Sequence, residues 1–153
     1  VRDSQRQRVY DAEEFLANIY DRVAAAGNMV NIMGVSLTLP PEAKFASIAS
    51  VQHYCDQVTD MLGVARVQVR SRRGDTKAHY CRGEIAAPDR GDRWAMRELV
   101  VLHELAHHVT GPAHRHSPIF VGVLTDLLSR VMGPEVGLAL RLINSGSVAE
   151  SAR

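Results

Sequence analysis

The sequence is poor in cysteine. Only Cys55 and Cys81 occur in 153 residues, and they do not form a C-x-x-C pair, so neither a disulfide framework nor a cysteine-built zinc ribbon is available. Two reduced thiols packed as small apolar groups are the expectation. Lysine is equally scarce: of 18 basic residues only Lys44 and Lys77 are lysine, and the formal net charge is +1. Acids and bases are well mixed, which leaves no basic face of the kind that nucleic-acid binding uses. Arg70, Arg72 and Arg73 cluster, but they read as the solvated face of a strand. No apolar run approaches the ~18 residues needed to cross a bilayer. No signal-peptide pattern is visible, and the cytoplasm is the expected compartment. Internal repeats, low-complexity linkers and a basic tail are missing as well.

What is present suits a single domain over residues 1–153. Apolar residues make up 46% of the chain, enough for a sizeable core. Val9, Ala12, Leu16, Ile19 and Val23 recur at helical spacing after a cap at Asp3 or Ser4, with Arg6, Glu13, Glu14 and Asp21 opposite and Gly27 as the stop. A short extended piece covers Val35 to Leu39. A second helix is predicted from about Pro41 to Leu62, with Phe45, Ile48, Val51, Cys55 and Val58 on its apolar face. Val67 to Arg72 alternates with the two-residue period of a strand, and Lys77–Arg82 and Glu84–Ala87 are further strands about Gly83. Helical pattern returns from about Asp92 to Thr110, with Trp94 at its start packing beneath it. Ser117-Pro118 opens another helix, and a last one spans about Glu135 to Ile143 before a small polar tail, residues 145–153, expected to fray. The order gives an α+β class, a small, mostly antiparallel sheet with helices packed against it.

Histidine is concentrated where little else is polar. Five of the seven histidines fall between His103 and His116. His103-Glu104-Leu105-Ala106-His107 matches H-E-x-x-H. On a helix, positions four apart stack on one face, so both imidazoles reach one metal ion, while Glu104, rotated by ~100°, is placed to take a proton from a water on that ion. A bare match arises in roughly 1–2% of shuffled chains of this composition. Context strengthens it: Leu99 to Leu102, Leu105 and Ala106 make the helix apolar on nearly every side, which predicts burial. Burying two histidines and a glutamate costs several kcal/mol unless they are paired or bind metal. Imidazole ligands favour Zn²⁺, whose catalytic sites take three protein ligands. His116 leads for the third place, because Ser117-Pro118 fixes it at a helix start. His114 and Asp126 are the alternatives, and Asp126 would otherwise support a ligand imidazole from behind. His108, one residue on, points elsewhere, and His53 and His79 read as ordinary histidines.

The motif helix resembles that of the zincin metallopeptidases. Its spacing is not that of the metzincins, H-E-x-x-H-x-x-G-x-x-H, since Thr110 and Ala113 stand where Gly and His are required. His116-Ser117-Pro118-Ile119-Phe120 is more similar to the His-Gly-Pro-x-Phe stretch of SprT-like proteins, with Ser117 in place of Gly. There the His is the third zinc ligand. Over most of its length the chain resembles a family of small actinobacterial metallohydrolases, through Arg2-Asp3-Ser4-Gln5-Arg6 with Val9-Tyr10 and Glu13, Leu37-Thr38-Leu39-Pro40 with Phe45, the H-E-L-A-H-H run, His116-x-Pro118-x-Phe120 and Met132-Gly133-Pro134-Glu135. These resemblances imply a zincin-like fold and a zinc hydrolase, most readily a metallopeptidase, with His103, His107 and His116 as ligands and Glu104 as the base. They also imply that the strand from Gly83 to Ala87 edges the substrate cleft and takes a peptide by strand addition, with Tyr80 and His108 as candidate oxyanion donors. Two other readings share the helix: a non-catalytic regulatory zinc module, and a SprT-like protease acting on DNA-bound proteins.

Overall fold

The computed structural model describes residues 3, 5–23 and 27–151, with side chains through residue 146. Among these are five helices and small sheets of two and three strands, an α+β arrangement. No helix among the described residues is long and apolar enough to cross a membrane. The chain divides into two compact units, Val1–Glu42 with His114–Arg153, and Ala43–Ala113.

The first unit holds α1 (Arg6–Val23), the strands β1 (Met29–Ile32) and β2 (Val35–Thr38), α4 (Pro118–Val131) and α5 (Pro134–Ser151). The apolar stripe of α1 is buried as expected at Val9, Ala12, Leu16 and Ile19, but Glu13, assigned to the wet face, is buried too. Ser4, one of the two cap candidates, lies outside the described residues. The strand expected at Val35 has an antiparallel partner in β1, register Ile32↔Val35. Its two-residue turn, Met33-Gly34, has positive φ at both positions, the geometry that matches strand twist. Ser117 caps α4 and Pro118 occupies its first turn. The last helix is longer than expected: α5 continues through the small polar residues of the tail to Ser151. It lies close on α4 because Gly137 has no side chain. A Cβ there would run into the Ser129 side chain and stand 3.0 Å from the Thr125 carbonyl.

The second unit holds α2 (Ile48–Leu62), β3 (Gln68–Ser71), β4 (His79–Cys81), β5 (Glu84–Ala87) and α3 (Glu98–Thr110). Its sheet runs β3-β5-β4, with β5 parallel to β3 and antiparallel to β4. The sheet beside the motif helix is therefore mixed. Both neighbouring helices are shorter than the apolar spacing implied. Ser47 closes a capping box with Ser50, each side chain accepting from the other's backbone N–H at 3.1 Å, so α2 starts at Ile48, not Pro41. The preceding residues are extended: Phe45 N–H donates to the Met96 carbonyl and Glu98 N–H to that of Ala43, both 2.9 Å. That pairing holds residues 96–98 extended in turn. Arg93 has φ of 56°, outside the helical region, and α3 begins at Glu98, not Asp92. Trp94 consequently sits ahead of the helix, 39% exposed, with the Arg97 guanidinium over its ring.

Two expectations follow. Gly137→Ala should cost about 1–3 kcal/mol through overpacking, read as a lowered thermal midpoint, although alanine is the better helix former. Cys55 is fully buried, and burial first, then the neighbouring Asp56, push its thiol from 9.0 up to about 12, whereas Cys81 is exposed. Since the thiolate is the nucleophile, iodoacetamide should label native protein at Cys81 only. In the unfolded chain Cys55 ionises from its ordinary 9.0 while the native thiol stays protonated to about 12. The stability this contributes is complete below that lower value and is lost as pH rises through the window, visible as a falling denaturation midpoint.

Candidate metal centre

The motif lies on α3 as the spacing requires. Leu99, Val101, Leu102, Leu105 and Ala106 are buried, and so are His103 and Glu104, at 2% and 4% exposure, while His107 is half-buried. Each large aliphatic side chain buried here contributes about 1.5–3 kcal/mol, which sets the helix firmly in the core and holds the polar groups there with it.

The first turn of α3 is pinned by its own side chain. Glu98 is buried. Its carboxylate accepts the Ala43 N–H at 3.1 Å and the Tyr54 hydroxyl at 2.5 Å, while its backbone N–H returns a bond to Ala43. A carboxylate at a helix N-terminus also meets the positive end of the helix dipole. At the other end, Gly111 N–H donates to the His107 carbonyl at 2.9 Å. The helix is thus fixed at both ends of the motif.

The two motif imidazoles face each other, with Nε2 atoms 3.2 Å apart and ring planes at 70°. Only one small occupant fits between such nitrogens, a shared proton or a cation. Two nitrogens bound tetrahedrally at 2.0–2.1 Å stand roughly 3.3–3.4 Å apart, so the pair needs almost no adjustment to chelate. Ligand-capable nitrogens of His103, His107 and His116 all lie within 4.8 Å of one another. Three neutral imidazoles are a donor set that suits a borderline divalent ion and leaves a fourth position open. This histidine group can bind a metal. The alternatives for the third place do not join it. His114 is half-buried and gives its backbone carbonyl to Ser117 N–H at 2.8 Å. Asp126 is 67% exposed and faces Arg130 at 3.9 Å, so it supports no ligand imidazole either.

That supporting place is taken by Asp3, whose carboxylate Oδ2 is 2.6 Å from His116 Nδ1. The sequence offers Asp3 as a helix cap and as part of the run that carries the family resemblance, with no ligand-supporting role. Nothing local signals the contact, because it spans 113 residues of chain.

His108 has a different fate. Its Nε2 lies 2.7 Å from the Ala65 carbonyl and its Nδ1 2.9 Å from the Tyr80 hydroxyl. A carbonyl can only accept, so Nε2 carries the proton and the neutral ring accepts at Nδ1 from Tyr80. The Tyr80 oxygen in turn accepts from Gly83 N–H at 3.0 Å. Both candidate oxyanion donors spend their protons on this network, which ties α3 to the sheet. His53 and His79 are exposed. The strand expected to edge a cleft, β5, is the central strand and is paired on both sides. The edge strand that packs against α3 is β4. Two of the three clustered arginines meet acids: Arg70 bonds Glu84 and Arg72 lies 2.9 Å from Asp75. Ahead of the strand, Arg66 holds the Asp60 carboxyl below the usual range through a bond of 2.7 Å.

Comparison with protein-family models, curated proteins and solved structures finds no match to this chain.

The anchoring of α3 is testable. Tyr54→Phe removes a hydrogen bond to a buried carboxylate and should cost about 1.5–3 kcal/mol in denaturant unfolding, with the slope unchanged.

Proposed function

We propose that the chain is a zinc-dependent hydrolase of zincin-like architecture, and that its substrate is a peptide or related amide. The observation that carries this reading is the pair of Nε2 atoms 3.2 Å apart on a buried helix, with Glu104 between them in sequence and itself buried. His103, His107 and His116 would hold the ion. When bound, zinc supplies Lewis acidity to a carbonyl oxygen and to an attacking water. The Glu104 carboxylate accepts the proton released as that water adds to the carbonyl carbon. It then delivers the proton to the departing amine, so one group serves as base and acid. The apolar flanks of α3 keep bulk water away and strengthen each of these electrostatic interactions.

The resemblance to small actinobacterial metallohydrolases and to zincin helices supports the same chemistry. A SprT-like role on DNA-bound proteins has less support, since Arg70 and Arg72 are each matched by an acid.

Glu104→Gln separates catalysis from metal binding. The variant should retain zinc at the wild-type stoichiometry and lose about 10²–10⁴-fold in rate on whichever member of a peptide library the wild type cleaves. Hydrolysis at the wild-type rate by a zinc-loaded Glu104→Gln protein would contradict the mechanism. A regulatory module without turnover would instead show no cleavage by either protein and a partner-dependent effect indifferent to the substitution.

A further inference from the structure

We propose that Asp3 is a positioning residue for the third ligand: it fixes the His116 ring so that Nε2 presents its lone pair to the metal, and thereby raises zinc affinity. This rests on the reading of His116 as a ligand.

His116 is 6% exposed, and Asp3, Tyr10 and Phe120 are among the side chains around its ring. The Asp3 carboxylate sits on Nδ1 at 2.6 Å. The Tyr10 ring lies at 5.3 Å between centroids, tilted by 53°, and the Phe120 ring meets it edge-on at 5.1 Å. An ionised carboxylate can only accept. Nδ1 therefore carries the ring proton, and in the neutral imidazole Nε2 is left as the donor atom. The backbone contribution is separate. Arg115 takes φ of 40°, Ser117 N–H closes on the His114 carbonyl at 2.8 Å and Ser117 caps α4, so the turn sets where the His116 Cα lies but not which nitrogen faces outward. Asp3 makes that choice.

A carboxylate behind a ligand imidazole also raises the basicity of the coordinating nitrogen. Asp3 does so from outside any helix or strand, and its side chain is 18% exposed. Its hold on His116 is thus the point where the placement of Asp3 and metal affinity are coupled. Such coupling is reciprocal: whatever holds Asp3 on His116 tightens zinc, and zinc strengthens that contact.

The test uses the whole chain as wild type, Asp3→Ala and Asp3→Asn. Zinc affinity is measured by competition with a chromophoric chelator. The His116 tautomer is read by long-range ¹H–¹⁵N correlation in the metal-free protein above the imidazole range. Asp3→Ala should bind zinc 10–100-fold more weakly, and its His116 should lose the Nδ1–H signature. Asp3→Asn keeps an acceptor oxygen for Nδ1–H and should recover part of the affinity. Unchanged affinity with Nδ1–H retained in Asp3→Ala would overturn the positioning role while leaving the metal centre intact. Lower metal-free stability with unchanged affinity would overturn it too, making Asp3 a structural contact. Failure of the wild type itself to take up zinc would remove the metal centre and this role together.

Discussion

Two imidazole nitrogens 3.2 Å apart on a buried helix must share something. A proton can bridge them, and the same spacing suits two ligands of one divalent cation. Several features of the second unit bear on that pair. Leu99, Val101, Leu102 and Leu105 draw the helix inward, and the cost of taking His103 and Glu104 with it is several kcal/mol unless the charges and lone pairs find partners. Glu98 with Tyr54 and Ala43 fixes the near end, and His108 with Tyr80 and Ala65 fixes the far end. A chelating pair is useful only if its spacing does not drift, and those bonds hold the backbone that sets the spacing.

His108 and His116 show how one residue type is put to opposite uses by its neighbours. At His108 a carbonyl and a hydroxyl engage both nitrogens, so the ring is a tie between elements and has no lone pair left for chemistry. At His116 a carboxylate engages Nδ1 from one side and aromatic rings fill the flanks. The difference lies in the partner's chemistry. A hydroxyl can give its proton away, whereas an ionised carboxylate can only receive one. The neutral His116 ring is therefore left with its acceptor at Nε2.

Much of this was legible in the residues. The spacing of His103 and His107 and the apolar residues around them announce a buried helix with a two-imidazole face. Ser117-Pro118 marks the start of α4, which explains why His116 stands out over His114. The failures have local causes. Pro41 and Phe45 fit a helical period, but the extended pairing of residues 43–45 with 96–98 is a tertiary contact that outweighs propensity. The same pairing shortens α3 at its start and leaves Trp94 outside it. Asp126, chosen because it follows the motif on a helix, turns to Arg130 in solvent, while Asp3, more than a hundred residues from His116, takes the supporting position. β5 is expected at an edge only through the resemblance to zincins, since no local pattern tells an edge strand from a central one here. In the structure Gly83 belongs to the β4–β5 turn, and the strand after it becomes the centre of the sheet.

The proposed metal centre is a single divalent ion held by three imidazoles. X-ray absorption at the zinc edge of purified, zinc-supplied protein, with the metal quantified per chain, tests it most directly. The expected result is one zinc per chain with nitrogen and oxygen neighbours at roughly 2.0–2.2 Å, and loss of the imidazole signal in His103→Ala and His107→Ala. Protein that takes up no zinc, or zinc bound through sulfur at roughly 2.3 Å, would contradict it.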